Sequence, residues 1–381
     1  MREIKWMQEA LRLARKGRGR TSPNPMVGAL VVRGDQILGR GWHRGPGFPH
    51  AEVEAMEDAR RRGHPLRGST LVVTLEPCCT WGRTPPCTDA ILKAGIREVI
   101  VGTVDPNPRH AGRGFTILQA AGVLVRTGIL AEACAALNEG FNHWIVHRKP
   151  LVTVKAAMTL DGKIATAQGE SKWITSAAAR AHGRRLRQCC DAVLVGIETV
   201  LADNPSLLPD APRQWRGRRV VLDARARIPL EANVVADAWA ERTIVVVGPR
   251  APRIRVAELE RRVTVWEAPL VQSPNRHSAP HVDLEWLMEK LGEAEVTHLL
   301  VEGGGEVQAS FLLSGLAQRI AFYYAPRILG GAQARKAVAG TGARSWQQMV
   351  QLENPRWRWI GPDLFLEARV KLEATPPGRV A

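Results

Sequence analysis

Residues 49–52 (PHAE) and 74–87 (TLEPCCTWGRTPPC) decide the fold of the first half of this 381-residue chain. They hold one imidazole, at His50, and two thiols, at Cys78 and Cys87, with the carboxylate of Glu52 close to the imidazole. One neutral imidazole and two thiolates bind zinc and leave a fourth position open for water. A carboxylate beside the metal can then carry protons. The pattern predicts a catalytic zinc site with these three ligands and Glu52 as the proton carrier.

Three apolar segments predict the elements that flank these residues: a helix over 51–62, a buried strand over 69–75 and a helix over 88–94. His50 and Glu52 therefore lie at the first turn of a helix, and Cys78 follows the end of a strand. Cys87 stands at a helix N-terminus, where the helix dipole favours a thiolate.

A His, a Glu two residues later and a following Pro-Cys are typical of zinc-dependent nucleobase deaminases. The gap between Cys78 and Cys87 is longer than in the commoner deaminase pattern. Cys79 could compete as a ligand, although we expect its side chain to point away from that of Cys78. The alternative is a buried histidine that lies near free thiols by coincidence.

Composition bounds the function classes. The formal net charge is +16, with a basic surplus in both halves. Solvated basic faces explain it, a basic funnel for small anionic substrates is compatible with it, and a dedicated nucleic-acid surface would require more concentrated charge. The six cysteines do not form a disulfide framework, which favours a reducing cytoplasm. We see no signal peptide and no apolar run long enough for a membrane span.

Alternating strands and helices predict two α/β domains. In the first half we also expect helices over 3–16, 115–121 and 131–146 and strands over 29–33, 36–39, 97–104 and 123–126. In the second half we expect strands over 151–156, 192–196, 219–222, 243–248, 297–301, 319–324 and 364–372, and helices over 176–187, 284–291 and 306–314. A polar hinge at 147–150 divides the chain into domains 1–147 and 148–373, followed by a loose tail over 374–381.

The segment 302–305 (EGGG) lies between a predicted strand and a predicted helix. Backbone N–H groups at such a position can approach a phosphate. A tight turn without a ligand explains the same glycines. The segment does not match the six-residue dinucleotide fingerprint.

Motifs in both halves resemble the bifunctional deaminase/reductase family of riboflavin biosynthesis. The first half contributes 21–32 (TSPNPMVGALVV), 41–52 (GWHRGPGFPHAE), 74–78 (TLEPC), 82–87 (GRTPPC) and 105–108 (DPNP). The second half contributes 155–165 (KAAMTLDGKIA), 171–176 (SKWITS), 191–205 (DAVLVGIETVLADNP), 219–229 (RVVLDARARIP) and 301–305 (VEGGG). The resemblance implies an N-terminal three-layer cytidine-deaminase-like domain and a C-terminal dihydrofolate-reductase-like α/β domain.

The resemblance also implies two consecutive reactions that use Zn²⁺ and NADPH. The first removes the amino group from 2,5-diamino-6-ribosylamino-4(3H)-pyrimidinone 5′-phosphate. The second reduces the ribosyl group and gives 5-amino-6-ribitylaminouracil 5′-phosphate. The implied partners are small phosphorylated pyrimidines, with no nucleic acid and no membrane, and we expect a cytoplasmic homo-oligomer.

Further site residues follow from the resemblance alone. It implies substrate binding in the deaminase by Asn24, His43 and Arg83. It implies NADPH binding by Ala157, Trp173, Thr199, Asp203, Gly304 and Gly305, and substrate binding in the reductase by Ser171, Arg187, Leu207 and Glu302. Turn chemistry at Asn24, a surface imidazole at His43, a core aromatic at Trp173 and a solvated helix face at Arg187 are the alternatives.

The chain departs from the family pattern at three places. Thr80 replaces a usual histidine, Asn204 replaces the second aspartate of Asp-Asp-Pro, and residues 208–210 (LPD) lack an expected arginine. Arg213 could substitute, at a different spacing. We expect rearranged phosphate contacts.

Two other classes of function compete with this interpretation. One is a tRNA-type nucleic-acid deaminase whose second half is a binding module. The other is a non-catalytic protein with a structural zinc, which would not need Glu52.

Overall fold

The computed structural model describes residues 2–82, 84–272 and 280–371, and the chain forms two compact units, residues 1–148 and 149–381. Arg83 and the tail over 374–381 lie outside the described residues. We refer to the two parts as the first unit and the second unit. Among the described residues, no helix combines the length and the apolar character that crossing a bilayer requires.

The first unit contains one mixed sheet with helices. Its strands are β1 (Gly28–Arg33), β2 (Gln36–Trp42), β3 (Thr70–Leu75), β4 (Glu98–Thr103) and β5 (Leu124–Thr127). Its helices are α1 (Arg2–Ala14), α2 (Ala51–Arg61), α3 (Cys87–Lys93), α4 (Arg113–Ala120), α5 (Ala131–Leu137) and α6 (Glu139–His147). The strand order is β2-β1-β3-β4-β5, with β3, β4 and β5 parallel and β1 antiparallel to both neighbours.

Alternate residues of the sheet point into two separate cores. On one face Val31, Leu71 and Val99 pack against α2, α3 and α4. On the other face Leu30 and Val72 pack against α1 and α5. Because successive side chains of a strand point to opposite faces, both faces need helices, and the result is the expected three-layer arrangement.

The second unit is built around a larger sheet. Its strands are β6 (Leu151–Thr159), β7 (Lys163–Ala165), β8 (Ala192–Gly196), β9 (Arg218–Leu222), β10 (Thr243–Val247), β11 (Thr264–Glu267), β12 (Leu270–Val271), β13 (His281–Val282), β14 (His298–Val301), β15 (Arg319–Ala325), β16 (Arg335–Lys336), β17 (Leu352–Ile360) and β18 (Asp363–Val370). Its helices are α7 (Ala177–Arg187), α8 (Ile197–Asp203), α9 (Asn233–Ala236), α10 (Arg253–Glu260), α11 (Leu284–Glu293) and α12 (Gly305–Leu313).

The main sheet of the second unit has the order β11-β10-β9-β8-β14-β6-β15-β18-β17. The strands from β11 to β15 are parallel, and β18 and β17 close the sheet as an antiparallel pair. Parallel strands such as β8 and β10 are completely buried because helices cover both faces. The carboxyl ends of β8, β9 and β14 therefore meet at one edge, where ligands bind in such sheets.

One expected helix needs correction, and elements such as α8, α10 and β11 were not predicted. The helix expected over 131–146 is broken into α5 and α6, because the Asn138 side chain turns away from helical hydrogen bonding and bonds both the N–H and the C=O of Met26. The strand β17 was not predicted. Asn354 and Pro355 interrupt its pattern, and its register shifts between Glu353 and Arg356.

Candidate metal pocket and cofactor cleft

Two glycines of β2 let helix α2 lie directly on the sheet. A Cβ atom at Gly39 would lie 2.1 Å from the carbonyl oxygen of Ala55, and one at Gly41 would lie 2.2 Å from that of Ala51. No other residue fits at this distance, so the glycines fix where α2 begins. That position sets His50 and Glu52 at the edge of the sheet.

The three predicted metal ligands come together at this edge. His50 is the N-cap of α2, Cys78 follows β3, and Cys87 is the first residue of α3. The Nδ1 atom of His50 lies 3.2 Å from Sγ of Cys87 and 3.4 Å from Sγ of Cys78, and all three donor atoms lie within 4.8 Å of one another. One nitrogen and two sulfurs at this separation fit a single zinc ion. We refer to these residues and Glu52 as the metal pocket.

The pKa values of the two thiols of the pocket are shifted in opposite directions. Hydrogen bonds from Cys87 and His50 lower the pKa of Cys78 to about 4. The same hydrogen bond to Cys78, together with burial, raises the pKa of Cys87. Cys87 donates its backbone N–H to Sγ of Cys78. That the helix N-terminus helps make Cys87 a thiolate stays a prediction, since a zinc ion binds both sulfurs as thiolates.

The tautomer of His50 follows from its neighbours. Its Nδ1 atom faces both sulfurs, whereas Nε2 lies 3.3 Å from the hydroxyl oxygen of Thr84. A zinc ion would take the place of the proton that Nδ1 shares with Cys78, and Nε2–H, donating to Thr84, would then leave the lone pair of Nδ1 for the metal. The sequence analysis missed Thr84, and its position in the ligand loop is the only signal that pointed to it.

Glu52 lies in the first turn of α2 and is buried. Burial raises the pKa of its carboxyl group, and a hydrogen bond with Cys87 partly opposes this increase. The Glu52 side chain thus contacts Cys87, but it is not one of the three clustered donors. A buried carboxyl group with a raised pKa accepts a proton more readily than an ordinary carboxylate.

A second glutamate, Glu76, braces the loop that carries Cys78. Its buried carboxylate accepts hydrogen bonds from the backbone N–H groups of Asp105, Gly112 and Gly114. A Cβ atom at Gly114 would lie 2.6 Å from the carbonyl oxygen of Pro77, so the loops are in close contact. In the sequence, Glu76 is only part of the motif 74–78, and its role in bracing this loop was not predicted.

Cys79 faces away from the metal pocket. Its Sγ atom lies 3.5 Å from Nδ1 of His110, and it does not belong to the three-donor cluster. Burial raises the pKa of the Cys79 thiol. In the described geometry, Cys79 is therefore not a ligand at the metal position.

Asn24 and His43 form a hydrogen-bonded pair beside the pocket. The Asn24 side-chain nitrogen lies 3.1 Å from Nε2 of His43, and Nδ1 of His43 lies 3.3 Å from the carbonyl oxygen of Pro49. His43 therefore donates from Nδ1 and accepts at Nε2, which is the neutral form. Burial lowers the pKa of His43 in agreement with this assignment. Its ring centroid lies 5.3 Å from that of His50.

Two further residues of the ligand loop, Arg83 and Thr80, were connected with the deaminase substrate. Arg83 lies outside the described residues, between Gly82 and Thr84. Thr80 is half-buried in the ligand loop, and a threonine there lacks the charge of the histidine that the resemblance implies.

The second unit contains a cleft of about 840 Å³ at the carboxyl edge of its sheet. Its walls include Gly196 at the end of β8, Leu222 at the end of β9 and Gly304 before α12. Of the residues expected to bind NADPH, four line this cleft: Thr199, Asp203, Gly304 and Gly305. We refer to it as the cleft.

The two glycines of the cleft have different roles. A Cβ atom at Gly305 would lie 2.2 Å from the carbonyl oxygen of Lys336, so Gly305 is required for packing. A Cβ atom at Gly304 would have only the Thr199 hydroxyl nearby, at 3.8 Å. Gly304 therefore leaves open space in front of the N-terminus of α12. An anionic group can reach backbone N–H groups there, which fits a dinucleotide pyrophosphate.

Ser171 also lines the cleft and is joined to a predicted cofactor residue. Its hydroxyl donates to the carboxylate of Asp203 at 3.1 Å, and the Lys172 ammonium lies 3.6 Å from the same carboxylate. Ser171, which the resemblance assigns to the substrate, thus contacts Asp203, which it assigns to NADPH.

Glu302 is the centre of a buried ion cluster. Arg187 donates to both of its carboxylate oxygens, at 2.8 and 2.9 Å, and the Lys155 ammonium lies at 3.4 Å. Burial by itself would raise the pKa of Glu302, but the two cations lower it to about 2. The cluster holds two cations and one anion, so it keeps a positive charge that suits an anionic substrate. The sequence analysis missed Lys155.

The remaining predicted residues do not line the cleft. Trp173 is 62% exposed with the Arg180 guanidinium 4.3 Å from its ring centroid, so it is not a core aromatic. Ala157 is half-buried on β6. Leu207 has a left-handed backbone with φ of 57° and a side chain buried in the core, so only its backbone is available to a ligand. Arg213 is exposed on a short 3₁₀ turn.

Comparison with known proteins covers both units. Residues 150–366 match the family model of the RibD C-terminal domain, and residues 1–103 match that of the cytidine and deoxycytidylate deaminase zinc-binding region. The riboflavin biosynthesis protein RibD of Actinobacillus pleuropneumoniae is 41% identical over 96% of this chain and 95% of its own length. RibD of Escherichia coli is 35% identical over 96% of this chain and 99% of its own.

Two solved structures give the same result. Acinetobacter baumannii RibD matches with a TM-score of 0.84 and 35% identity, over 97% of this chain and 99% of that one. A diaminohydroxyphosphoribosylaminopyrimidine deaminase/5-amino-6-(5-phosphoribosylamino)uracil reductase from Thermotoga maritima matches with a TM-score of 0.78 and 34% identity, over 97% and 99% of the two chains. The expected fold class is confirmed, with a deaminase-like first unit and a RibD reductase-like second unit.

Proposed function

This chain belongs to the RibD family of riboflavin-biosynthesis proteins, and from that membership we propose which of its residues carry the family's two reactions. It is a bifunctional enzyme with a zinc-dependent deaminase and an NADPH-dependent reductase. It removes the amino group from 2,5-diamino-6-ribosylamino-4(3H)-pyrimidinone 5′-phosphate, and it then reduces the ribosyl group to give 5-amino-6-ribitylaminouracil 5′-phosphate. We assign the deaminase to residues 1–147 and the reductase to residues 148–373.

In the deaminase, His50, Cys78 and Cys87 hold the zinc ion. The convergence of their three donor atoms within 4.8 Å, next to a buried glutamate, is the observation that supports this assignment best. Bound zinc supplies a Lewis acid that makes a water molecule nucleophilic near neutral pH.

Glu52 is the catalytic proton carrier of the deaminase. Its carboxyl group is buried beside the donor cluster, and its raised pKa favours a group that is protonated and deprotonated in turn. It takes the proton that the attacking water loses and gives it to the leaving amine, which is general acid–base catalysis.

Asn24 and His43 orient the pyrimidine. The hydrogen bond between them and the one from His43 to the Pro49 carbonyl fix the amide and the neutral imidazole at the pocket edge. Fixed side chains of this kind hold a substrate in one orientation. Arg83 follows in the ligand loop, and its planar donor fork suits the substrate phosphate.

In the reductase, the cleft holds NADPH. Gly304 and Gly305 face the phosphates at the start of α12, and Thr199 and Asp203 line the wall on α8. Ala157 and Trp173 complete the cofactor set that the family resemblance implies. Bound NADPH supplies the hydride, so the protein contributes position and charge.

The buried ion cluster binds and polarises the second substrate. Glu302 holds Arg187 and Lys155 at fixed positions, and Ser171 is held by Asp203. Lys155 adds a second cation to the cluster, with its ammonium 3.4 Å from the Glu302 carboxylate. Leu207 contributes through its backbone.

One experiment tests both reactions. The purified protein is incubated with the diaminopyrimidine phosphate, with and without NADPH, and its metal content and products are measured by mass spectrometry. We expect about one zinc per chain, the deaminated product without NADPH and the ribityl product with it. Deamination of RNA in place of the pyrimidine phosphate would instead support a nucleic-acid deaminase, which the relatives spanning both units do not favour.

We also propose that the protein is a cytoplasmic homo-oligomer without nucleic-acid or membrane partners. All six cysteines are free thiols, which suits a reducing compartment. The edge strand β17 exposes Trp357 and Trp359, at 54% and 71%, and an unpaired edge with apolar side chains suits pairing with a second copy. Light scattering after gel filtration measures the oligomeric state.

A further inference from the structure

Tyr323 of β15 is a buried tyrosine to which neither of the reactions assigned above gives a role. It is one of the two tyrosines of the chain, and it is 1% exposed. It lies in a small core cluster with Ala321, Phe365 and Ala179, the last of which belongs to α7. Because a buried hydroxyl is costly without a hydrogen bond, the partner of this hydroxyl indicates what the residue does.

The partner is His182, in the middle of α7. The Tyr323 hydroxyl oxygen lies 2.6 Å from Nδ1 of His182, and the Arg358 guanidinium lies 3.2 Å from Nε2. A guanidinium can only donate, so Nε2 accepts and Nδ1 carries the proton of the neutral ring. Burial and the positive charge of Arg358 lower the pKa of His182 to about 4, in agreement with this form. The Nδ1–H of His182 therefore donates to the Tyr323 oxygen.

This hydrogen bond joins two other contacts that hold α7 on the sheet. Before the helix begins, the backbone N–H of Ser176 donates to the buried carboxylate of Asp363 on β18 at 2.8 Å. Arg187, the last residue of the helix, donates to both carboxylate oxygens of Glu302. Since His182 and Arg187 are about 7.5 Å apart along the helix axis, the contact in the middle of the helix controls where the guanidinium lies.

The ring of Tyr323 contacts the second cation of the ion cluster. The Lys155 ammonium lies 5.8 Å from the ring centroid and 3.4 Å from the Glu302 carboxylate. Lys155 is on β6, which pairs with β15. The ring contact and the hydroxyl contact are separable, because a phenylalanine would keep the first and lose the second.

We propose that Tyr323 is a positioning residue of the reductase, whose hydroxyl holds α7 through His182 so that Arg187 is correctly placed for the second substrate. This inference rests on the assignment of Arg187 to substrate binding that is proposed above. Tyr323 itself is buried and acts through the helix. A misplaced guanidinium binds an anionic substrate less well before and during hydride transfer alike, so the effect falls on KM and not on kcat.

The test is steady-state reduction of 5-amino-6-(5-phosphoribosylamino)uracil by NADPH with the full chain. Tyr323→Phe should raise KM for this substrate about 3- to 10-fold, the range for one lost hydrogen bond, with kcat and KM for NADPH unchanged. Tyr324→Phe is the matched control, because this tyrosine packs against Trp357, and all three constants should be unchanged. If Tyr323→Phe lowers Tm but leaves KM unchanged, the tyrosine only stabilises the fold and the positioning role is wrong.

Variants of the histidine test the route through α7. His182→Ala should raise KM as Tyr323→Phe does, and the double variant should raise it no further, because both changes remove the same bond. His182→Asn places an amide N–H near the position of Nδ1 and should restore most of the affinity. Additive effects of the two changes, or no recovery with His182→Asn, would contradict the proposed route.

Arg187→Lys separates this inference from the proposed function. A lysine keeps the charge but loses the paired donors, so it should raise KM for the same substrate. If Arg187→Lys leaves KM unchanged, the substrate assignment of Arg187 fails, and the positioning role fails with it. If Arg187→Lys raises KM and Tyr323→Phe does not, the assignment of Arg187 stands and that of Tyr323 is wrong.

Discussion

The metal pocket of the first unit and the cleft of the second unit are built in opposite ways. The pocket takes its three donors and Glu52 from residues 50–87, and each of them lies at or just beyond the end of a helix or strand. The cleft takes its walls from residues 164–340 and from the ends of several strands, and its key positions are glycines and backbone. A metal needs a few donors at fixed distances, whereas a dinucleotide needs a long surface.

This difference predicts how each site responds to substitution. Every pocket residue has a separate chemical task, so single changes there should have large effects on one activity. The cleft distributes binding over many contacts, so single changes there should have graded effects. Three experiments test the pocket, and a fourth tests the buried ion cluster of the second unit.

The largest effect is expected for Cys87→Ala. Removal of one of the three donors should strip the zinc and reduce deamination below detection, while reduction of 5-amino-6-(5-phosphoribosylamino)uracil by NADPH continues. Metal analysis and the two separate assays measure this. Cys79→Ala is the control, because its Sγ faces His110, and it should keep both metal and activity. Loss of both activities in a folded Cys87→Ala protein would contradict two independent sites.

A smaller loss is expected for Glu52→Gln. The amide has nearly the same shape but cannot carry the proton, so deamination should fall by roughly 10²- to 10⁴-fold with the zinc retained. The control is Glu54→Gln, in the same helix turn, where the carboxylate pairs with Arg44 instead of facing the pocket. Turnover near that of the unmodified enzyme, with metal bound, would remove Glu52 from the mechanism.

Thr84→Val should act on the pocket through His50. Without the hydroxyl that accepts Nε2–H, the imidazole loses its preferred tautomer and orientation, and zinc affinity should fall about 10- to 100-fold. Competition with a chelator measures that affinity. Thr84→Ser retains the hydroxyl and should bind zinc normally, and an equal loss in both variants would indicate a steric effect.

The stability that the ion cluster around Glu302 contributes should be present at neutral pH and should be lost only at acid pH. The folded pKa of Glu302, about 2, is below its ordinary value of 4.5, so its stabilisation is present above pH 4.5 and is lost as the pH falls toward 2. The difference in pKa corresponds to about 3 kcal/mol.

Thermal unfolding of the wild type and of Glu302→Gln between pH 7 and pH 3 tests this. The difference in Tm should be constant at neutral pH and should shrink below pH 4.5. Glu285→Gln, which removes a more exposed glutamate on α11, should show a small difference at every pH. If the Tm difference between the wild type and Glu302→Gln grew on acidification, the two cations would not be lowering the pKa of Glu302.

The metal pocket was largely predictable from the sequence because its donors lie close together along the chain and are chemically distinctive. The ligands His50, Cys78 and Cys87 were chosen from spacing, and the structure brings them together. What could not be predicted was the hydrogen bond from the Cys87 backbone N–H to the Cys78 sulfur, because it crosses the pocket. The role of Glu76 was also hidden, because its partners lie in a loop about 30 residues later in the chain.

By itself, the sequence determined the two α/β units, most of the parallel strands and the metal donors, because hydrophobic periodicity and side-chain chemistry are local properties. Tertiary structure alone decided the break at Asn138, the pairing of Arg187 and Lys155 with Glu302, and the hydrogen bond between His182 and Tyr323. These features depend on contacts between distant segments, and the order of strands in the sheet sets those contacts.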